Sequence, residues 1–495
     1  MRTETAVASL SAPLAGGTLP DLVAVSDAVE ELEARYRPLM SIDTSLTRQL
    51  VSFQANKERE RYRWFKYKEG FSADLVEHFL DRCNVSSGKI LDPFAGSGTT
   101  LFAASGRNLI AEGIELLPIG VRLIEARRLL EQEATDEDIS ALKRFCKDRS
   151  WRLVTSAKTL SEFRITNGAY PVETRHSIEQ CLFWIETLPP LQGQVALFAL
   201  LAVLESVSFT RKDGQYLRWD YRSGRKQGIS TFDKGTITPF DETFSTKLLD
   251  IIDDVSAVGH KTDLFKSSDM PARHNIAIHS GSCLDVLPSL RSSDYDFIIT
   301  SPPYCNRYDY TRTYALELAL LGVNEIGLLR LRQEMLSCTV ENRAKDLLKI
   351  NPSWRLALDV AERNATLSAI LHYLEGLKLS GELNNIGIPR MIRGYFYEMA
   401  CVIQECARVL KPGASLVMVN DNVRYAGVAI PVDLILSDMA SQLGFTIEAI
   451  LILPGGKGNS SQQMGEHGRH VLRKCVYIWR KVPEWQLRVP KNFAS

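Results

Sequence analysis

The stretch Phe297-Ile298-Ile299-Thr300-Ser301-Pro302-Pro303-Tyr304 organises the chain. Its apolar beginning predicts a buried β-strand, and the two prolines end that strand, because proline has no amide hydrogen for a ladder and holds the backbone extended. Ser301 and Tyr304 are therefore expected at the carboxyl end of a strand, which is where open α/β sheets bind ligands. An ordinary strand end followed by a loop would explain these residues equally well. A second signal upstream decides between the two interpretations.

That signal is an apolar strand that runs into a glycine turn, Lys89-Ile90-Leu91-Asp92-Pro93-Phe94-Ala95-Gly96-Ser97-Gly98. Glycines let the backbone approach a ligand, and the helix predicted over residues 99–105 offers free amide groups at its start. A second strand, residues 109–114, leads to Glu115, about 20 residues after the turn, where a carboxylate suits ribose hydroxyls. The turn is not a phosphate loop of the G-x-x-x-x-G-K-[ST] type, because no lysine follows its last glycine.

Together, DPFAGSGTT (residues 92–100) and TSPPY (residues 300–304) resemble the two signature motifs of the S-adenosylmethionine-dependent DNA amino-methyltransferases. The first is similar to that family's cofactor motif. The second is similar to its catalytic motif, in the variant typical of cytosine-N4 enzymes. The resemblance covers residues 64–125 and 279–481, and the order of the motifs is most like the family's alpha type.

The resemblance implies S-adenosylmethionine as the cofactor. An aromatic stretch before the first strand is similar to the family's motif that closes over the methionine end of the cofactor. Ser282 departs from the family, which often has an acid at that position near the adenine. The residues predicted to bind the cofactor are Tyr67, Phe71, Ser72, Asp92, Pro93, Phe94, Ala95, Gly96, Ser97, Gly98, Thr99, Glu115, Ser282 and Thr300.

The predicted catalytic residues are Ser301, Pro302, Pro303 and Tyr304. The exocyclic nitrogen of cytosine is a poor nucleophile, because its lone pair is delocalised into the ring. Accepting hydrogen bonds from both amine hydrogens, with the Ser301 hydroxyl and the Pro302 carbonyl, would turn the lone pair toward the methyl donor. Tyr304 would stack on a base flipped out of duplex DNA, and transfer would be direct and in line.

Three interpretations compete. The first is a sequence-specific DNA cytosine-N4 methyltransferase of a restriction-modification system. The second is a DNA adenine-N6 or RNA amino-methyltransferase, and the third is a non-catalytic DNA-binding relative. Serine at the first catalytic position favours the first, because adenine-specific relatives usually carry Asp or Asn there. The target sequence, and a cognate restriction endonuclease as a separate partner chain, stay open.

A basic stretch rich in aromatic residues, residues 210–226, is the candidate target-recognition segment. From residue 211 to residue 226 the chain has six basic residues, including Lys226, and two acids. Basic side chains reach phosphates, and aromatic side chains contact bases. The alternative is an exposed basic hairpin with packed aromatic residues. The predicted DNA-binding residues are Arg211, Lys212, Arg218, Trp219, Arg222 and Arg225.

The remaining pattern predicts a Rossmann-like, doubly wound sheet of seven mostly parallel strands with one antiparallel strand. The predicted strands begin near residues 89, 109, 276, 297, 415, 446 and 475. The charged run 56–63 is expected to be a solvated helix face, and segments 1–21 and 455–470 are expected to be mobile. The predicted organisation is an N-terminal segment (1–55), a catalytic domain (56–131, 276–322 and 391–485), a target-recognition region (132–275) and a helical insertion (323–390).

Composition limits the partners and the compartment that the sequence predicts. Lysine plus arginine and aspartate plus glutamate both number 59, so DNA binding would need locally concentrated positive charge. The start of the chain lacks the pattern of a signal peptide, and the longest apolar run, residues 195–204, is too short to span a bilayer. Nine cysteines without a C-x-x-C pair predict a reducing, cytoplasmic compartment and no zinc site.

Overall fold

The computed structural model describes residues 19–213, 216–225, 231–259, 275–455 and 472–483. Its strands in chain order are β1 (Met40–Ile42), β2 (Lys89–Asp92), β3 (Ile110–Glu115), β4 (Thr210–Asp213), β5 (Tyr216–Trp219), β6 (Ile276–Ser280), β7 (Tyr295–Thr300), β8 (Leu410–Asp421), β9 (Val423–Tyr425), β10 (Val428–Ile430), β11 (Phe445–Ile452) and β12 (Lys474–Lys481).

Helices flank these strands along the chain. They are α1 (Leu19–Tyr36), α2 (Ala73–Arg82), α3 (Thr99–Ser105), α4 (Pro118–Gln132), α5 (Asp136–Asp148), α6 (Val172–Glu186), α7 (Pro190–Val207), α8 (Phe240–Gly259), α9 (Cys283–Val286), α10 (Tyr310–Thr313), α11 (Ala315–Leu320), α12 (Glu325–Glu334), α13 (Leu347–Ile350), α14 (Arg355–Arg363), α15 (Ala365–Leu379), α16 (Ile388–Val409) and α17 (Val432–Gln442).

One large sheet carries the fold, in the strand order β1-β11-β12-β8-β7-β2-β3-β6. β12 is antiparallel to both neighbours, and the other pairings within this sheet are parallel. All seven predicted strands are present, but the predicted count is wrong, because the sheet has eight. The additional strand, β1, pairs with the end of β11 at the sheet edge. Three residues, one half-buried and two exposed, are too short a run to show the alternation that marks a strand.

Helices cover both faces of the sheet. α1, α14, α15, α16 and α17 share one hydrophobic core with one face, and α2 and α3 share another core with the opposite face. A third core joins α4 through α8 to α11 beside the sheet. Both predicted insertions therefore contribute to cores that also contain catalytic-domain elements, and the predicted domain boundaries stay predictions.

Helix α7 (Pro190–Val207) is longer than the apolar run seen in the sequence, and its length and composition would allow it to cross a membrane. However, 61% of it is buried inside the fold. It packs against α4, α6, α8 and α11. The core helix of a folded domain has the same length and composition, so α7 is explained by this packing.

The charged run 56–63 does not form the solvated helix face that its composition suggested. Its first two residues end a short 3₁₀ helix (Phe53–Lys57), and Asn56 is buried, where its side chain donates to the Phe71 carbonyl and accepts from the Ala73 amide. Arg63 pairs with buried Asp254 on α8 at 2.6 Å. These partners are distant in sequence, so the local charge pattern could not reveal them. Other predictions lie outside the described residues: the mobility of residues 1–18 and 456–470, and the DNA contact of Lys226.

Candidate active site

A cleft opens at the carboxyl ends of β2, β3 and β7. It encloses about 790 Å³, part of it open to solvent. The predicted glycine turn forms one wall, and the catalytic motif contributes Ser301 and Pro303 to another. The strand order explains why the two motifs meet, because β2 lies directly between β7 and β3. The two motifs, separated by some 200 residues of chain, thus line one cavity.

Asp92 joins the two motifs through hydrogen bonds. One carboxylate oxygen accepts from the Phe94 amide at 3.0 Å and from the Thr300 hydroxyl at 2.7 Å. The other oxygen accepts from the Thr100 hydroxyl at 2.6 Å. Burial raises the pKa of Asp92, and these hydrogen bonds oppose that rise. Asp92 therefore ties the end of β2 to the end of β7, immediately before Ser301.

Glu115 ends β3 with both carboxylate oxygens held by backbone amides. One accepts from Gly96 and the other from Leu117, each at 2.7 Å. Burial raises the pKa of Glu115 to about 7, although the two amides lower it. A carboxylate oxygen has two lone-pair sites, so each retains acceptor capacity toward the cleft, which Glu115 lines.

Glycines allow the tight turn below the cleft. Gly98 has φ +81°, and a Cβ there would lie 2.7 Å from the Ile124 side chain. Gly120 on α4 allows a further close approach, since a Cβ would lie 2.4 Å from the Gly96 carbonyl oxygen and 2.7 Å from Glu115. Gly120 carries no local signal in the sequence, because its partners become neighbours only when α4 folds back on the turn.

Aromatic side chains close the cleft on the side of the segment before α2. Tyr67 stacks on Tyr314, with ring centroids 5.1 Å apart. A Cβ at Gly96 would come within 3.0 Å of the Tyr67 ring, so this ring covers the turn. The carboxylate of Glu69, which also lines the cleft, accepts from the hydroxyls of Tyr308 and Tyr314. Glu69 was not among the predicted residues.

The catalytic motif presents its residues in different ways. Ser301 and Pro303 line the cleft, Pro302 is buried, and Tyr304 is half-buried beside them. The Ser301 hydroxyl donates to the Tyr304 hydroxyl at 3.2 Å. Burial raises the pKa of Tyr304 above its ordinary value, which already lies well above neutral pH.

Most of the predicted cofactor residues come together here. Three do not line the cleft: Ser72 caps α2 by accepting from the Leu75 amide, Gly98 immediately precedes α3, and Thr300 is buried against Asp92. Those that line it are Tyr67, Phe71, Asp92, Pro93, Phe94, Ala95, Gly96, Ser97, Thr99, Glu115 and Ser282.

The predicted helical insertion also reaches the cleft, which the sequence did not indicate. Glu334, Met335 and Leu336 line it. The hydroxyl of Ser282 donates to the Glu334 carbonyl at 2.9 Å, so Ser282 holds this segment in place. Apolar residues after a helix carry no local signal for a ligand site.

Comparison with known proteins identifies the family. The chain is 54% identical to the type II methyltransferase M.AvaI of Nostoc sp. over 451 residues, which cover 91% of this chain and 92% of that protein. The chain belongs to the type II methyltransferase family. M.AvaI of Anabaena variabilis matches equally well, and M.BsoBI of Geobacillus stearothermophilus is 39% identical over 477 residues. No protein-family model matches the chain.

In this methyltransferase the basic stretch forms a hairpin of β4 and β5, here called the basic hairpin (residues 210–219). Side chains alternate across a strand, and this alternation divides the predicted DNA-binding set. Arg211 is exposed and Arg218 half-exposed, whereas Lys212 and Trp219 are buried. Burial turns Lys212 and Trp219 away from solvent, which composition alone did not reveal, and their predicted DNA contact stays a prediction.

The other two predicted arginines already have partners within the protein. Arg222 pairs with Asp220 at 2.6 Å, and the guanidinium of Arg225 lies 3.9 Å from the centre of the Trp219 ring. Arg225 also donates to backbone carbonyls of residues 164–167. These contacts hold both arginines to the protein, and their predicted DNA contact stays a prediction.

Buried Lys212 anchors the basic hairpin to the wall of the cleft. Its ammonium lies 2.5 Å from Glu317 on α11, and the two side chains are only 3% and 1% exposed. The ammonium is also 4.3 Å from the centre of the Tyr314 ring. Tyr314 is the ring that stacks on Tyr67, so the hairpin adjoins the cleft through this pair.

We expect Lys212→Met to destabilise the protein by about 3–5 kcal/mol, because it leaves the Glu317 carboxylate buried without its counter-ion. The double variant Lys212→Met/Glu317→Leu should recover most of that loss, because neither charge then remains buried. Chemical denaturation measures the free energy of unfolding. Arg218→Met, on the exposed face of the same hairpin, is the control and should change it by less than about 1 kcal/mol. A double variant no more stable than Lys212→Met would contradict this account.

Proposed function

We propose that this type II methyltransferase transfers a methyl group from S-adenosylmethionine to the exocyclic N4 amine of cytosine in double-stranded DNA. One observation carries the proposal: Ser301 lines the same cleft as the glycine turn and Glu115, and Asp92 joins the two motifs. The Ser301 hydroxyl, which can accept a hydrogen bond from an amine, is therefore next to a cleft that suits a nucleoside.

The cleft suits S-adenosylmethionine by shape and charge. Gly96 lets the backbone approach the ligand, and Glu115 keeps acceptor capacity for ribose hydroxyls. Among the described residues, the lining includes the acids Glu69, Asp92, Glu115 and Glu334 and no lysine, arginine or histidine. An acidic surface favours a cationic ligand. When bound there, the cofactor would supply an electrophilic methyl group on a sulfonium.

Ser301 and Pro302 are suited to orient the amine. The Ser301 hydroxyl and the Pro302 carbonyl can accept the two amine hydrogens, which favours a tetrahedral nitrogen with its lone pair directed at the donor. Two successive prolines restrict the backbone, so the acceptors are held in place before the base arrives. Preorganised acceptors of this kind lower the barrier because they need no rearrangement during the reaction.

Tyr304 is suited to stack on the target base. Its ring is half-buried and next to Ser301, and its raised pKa keeps it neutral. A cytosine inside a duplex cannot reach this cleft, so the base has to be flipped out, and stacking on an aromatic ring compensates part of that cost.

Arg211 and Arg218 are the residues that we now propose for DNA contact. They lie directly opposite each other across the basic hairpin and face outward. Like charges in directly opposed positions repel each other. Arg218 also pairs with Asp213 at 3.2 Å, in an exposed ion pair. A phosphate between the two arginines would relieve their repulsion, which supports a role in binding nucleic acid.

The pKa of Glu115 leads to a pH-dependent prediction. Below pH 7 the carboxyl becomes protonated and loses acceptor capacity, so affinity for S-adenosylmethionine should fall as the pH decreases from 8 to 6. Glu115→Gln should bind more weakly at pH 8 and should lack this part of the pH dependence. Calorimetry at several pH values measures both. The amino group of S-adenosylmethionine also titrates, but it does so with both the unaltered protein and Glu115→Gln. The difference between the two pH profiles therefore reports the titration of Glu115 alone. Parallel profiles would contradict its assignment.

The proposed DNA contact predicts a change in salt dependence. Arg211→Ala/Arg218→Ala should reduce the slope of log affinity against log salt concentration by about 1–2, because up to two phosphate contacts are lost. Fluorescence anisotropy with a labelled duplex measures the slope. The control variant Arg107→Ala/Arg480→Ala removes the same charge at the end of the sheet opposite the cleft. It should leave the slope unchanged. Equal slopes for both double variants and the unaltered protein would exclude the hairpin as the contact.

The base assignment is tested by the product. Mass spectrometry of nucleosides from DNA methylated in vitro should show N4-methylcytosine. Ser301→Ala should lower kcat by about 100- to 1,000-fold, comparable to loss of one preorganised hydrogen-bonding group, while cofactor and DNA affinity are retained. Cys305→Ala, a buried neighbour of the motif, is the control and should stay active. N6-methyladenine without N4-methylcytosine would exclude the proposed base and leave the fold and the family unaffected.

A further inference from the structure

An ion pair stands beside the catalytic motif, at the same edge of the sheet. β12 is antiparallel to β8, so its first residue, Lys474, lies where β8 ends, directly opposite Asp421. β8 is also the neighbour of β7, which leads into Ser301. The strand register therefore places a cation and an anion next to the proposed position of the target base.

This pair is not closed by a short hydrogen bond. The Lys474 ammonium is 3.4 Å from Asp421 Oδ1, which is longer than the 2.7–2.9 Å typical of a charge-assisted hydrogen bond. Asp421 Oδ1 is buried and has no hydrogen-bond partner among the described residues. The side chains are 26% and 18% exposed, so both are largely removed from solvent. An ammonium has three donors, and Asp421 can engage only part of that capacity.

Lys474 also faces the tyrosine that we propose as the stacking platform. Its ammonium lies over the Tyr304 ring, 5.9 Å from the ring centre. The Tyr304 hydroxyl is bonded to Ser301. A base held at Tyr304, with its amine at Ser301, would therefore lie within reach of the Lys474 ammonium.

We propose that Lys474, oriented by Asp421, donates a hydrogen bond to O2 of the target cytosine and so distinguishes cytosine from adenine. This inference rests on the proposed cytosine-N4 activity. When the amines of the two bases are superimposed, cytosine O2 falls where adenine carries the C2 hydrogen. Cytosine thus offers an acceptor to the half-buried ammonium, whereas adenine would leave that donor unpaired, which disfavours its binding.

The alternative is a cross-strand ion pair that only stabilises the ends of β8 and β12. The charge exchange Asp421→Lys/Lys474→Asp separates the two roles. It keeps an ion pair at the same register but moves the cation to the other strand. A purely structural pair would retain activity after the exchange, whereas a base-reading lysine would not.

The experiment compares two duplex substrates that carry the target sequence, which is located beforehand by sequencing that detects methylated bases in DNA treated with the unaltered protein. One has the natural target cytosine. In the other the target is a 2-aminopyridine C-nucleotide, which keeps the amine and the adjacent ring nitrogen but has C–H in place of O2. For the unaltered protein, we expect kcat/KM to be about 10- to 100-fold lower on the analogue. For Lys474→Met, kcat/KM on cytosine should be lower than that of the unaltered protein by a similar factor. On the analogue, kcat/KM of the variant should fall little further. Arg480→Met, at the other end of β12, should behave like the unaltered protein on both.

Several results would overturn the inference. Full activity of Lys474→Met on cytosine would do so, as would an equal analogue penalty in the variant and the unaltered protein. Recovery of activity in the charge exchange would assign the pair a structural role. Calorimetry with S-adenosylmethionine shows that each variant is folded. An N6-methyladenine product in the unaltered protein would remove the proposed function itself, and that result is obtained without any Lys474 variant.

Discussion

The buried carboxylate of Asp92 is the constraint on which the candidate active site depends. A buried charge is costly unless hydrogen bonds compensate the lost hydration. Here the compensation comes from the glycine turn, through the Phe94 amide and the Thr100 hydroxyl, and from β7, through Thr300. Two sequence-distant motifs therefore have to meet before this group is satisfied. The position of Ser301 relative to the glycine turn follows from a folding requirement.

Glu115 shows the same principle with a different outcome. Two amides hold its carboxylate in place, yet burial still raises its pKa to about 7. The site thus contains a buried carboxylate whose lost hydration is only partly compensated by hydrogen bonds within the protein. A cationic ligand with hydroxyl donors would supply the missing compensation, so part of the proposed cofactor affinity would come from relieving this burial. Natural active sites often carry such local instability.

The sequence predicted features that are local and missed those that depend on distant partners. The apolar runs before Ser301 and before the glycine turn end at prolines or glycines. Two strands, and a ligand site at their carboxyl ends, could therefore be inferred from the sequence. β1 (Met40–Ile42) is too short to show a period, and its pairing with β11 is a tertiary contact. The inward direction of Lys212 depends on Glu317, about a hundred residues later. Glu334 and its neighbours reach the cleft only because the chain after α12 packs over it.

The basic hairpin illustrates how one element can serve two surfaces. Its strand alternation sends Arg211 and Arg218 outward and Lys212 inward, toward Tyr314. Tyr314 stacks on Tyr67, and Tyr67 covers Gly96 in the turn of the cleft. A contiguous set of packed groups thus connects the proposed DNA surface to the proposed cofactor site. Contact alone does not establish energetic coupling. Separating the buried Lys212–Glu317 pair would leave one charge buried without its counter-ion, so this pair ties the hairpin to α11 beside the cleft.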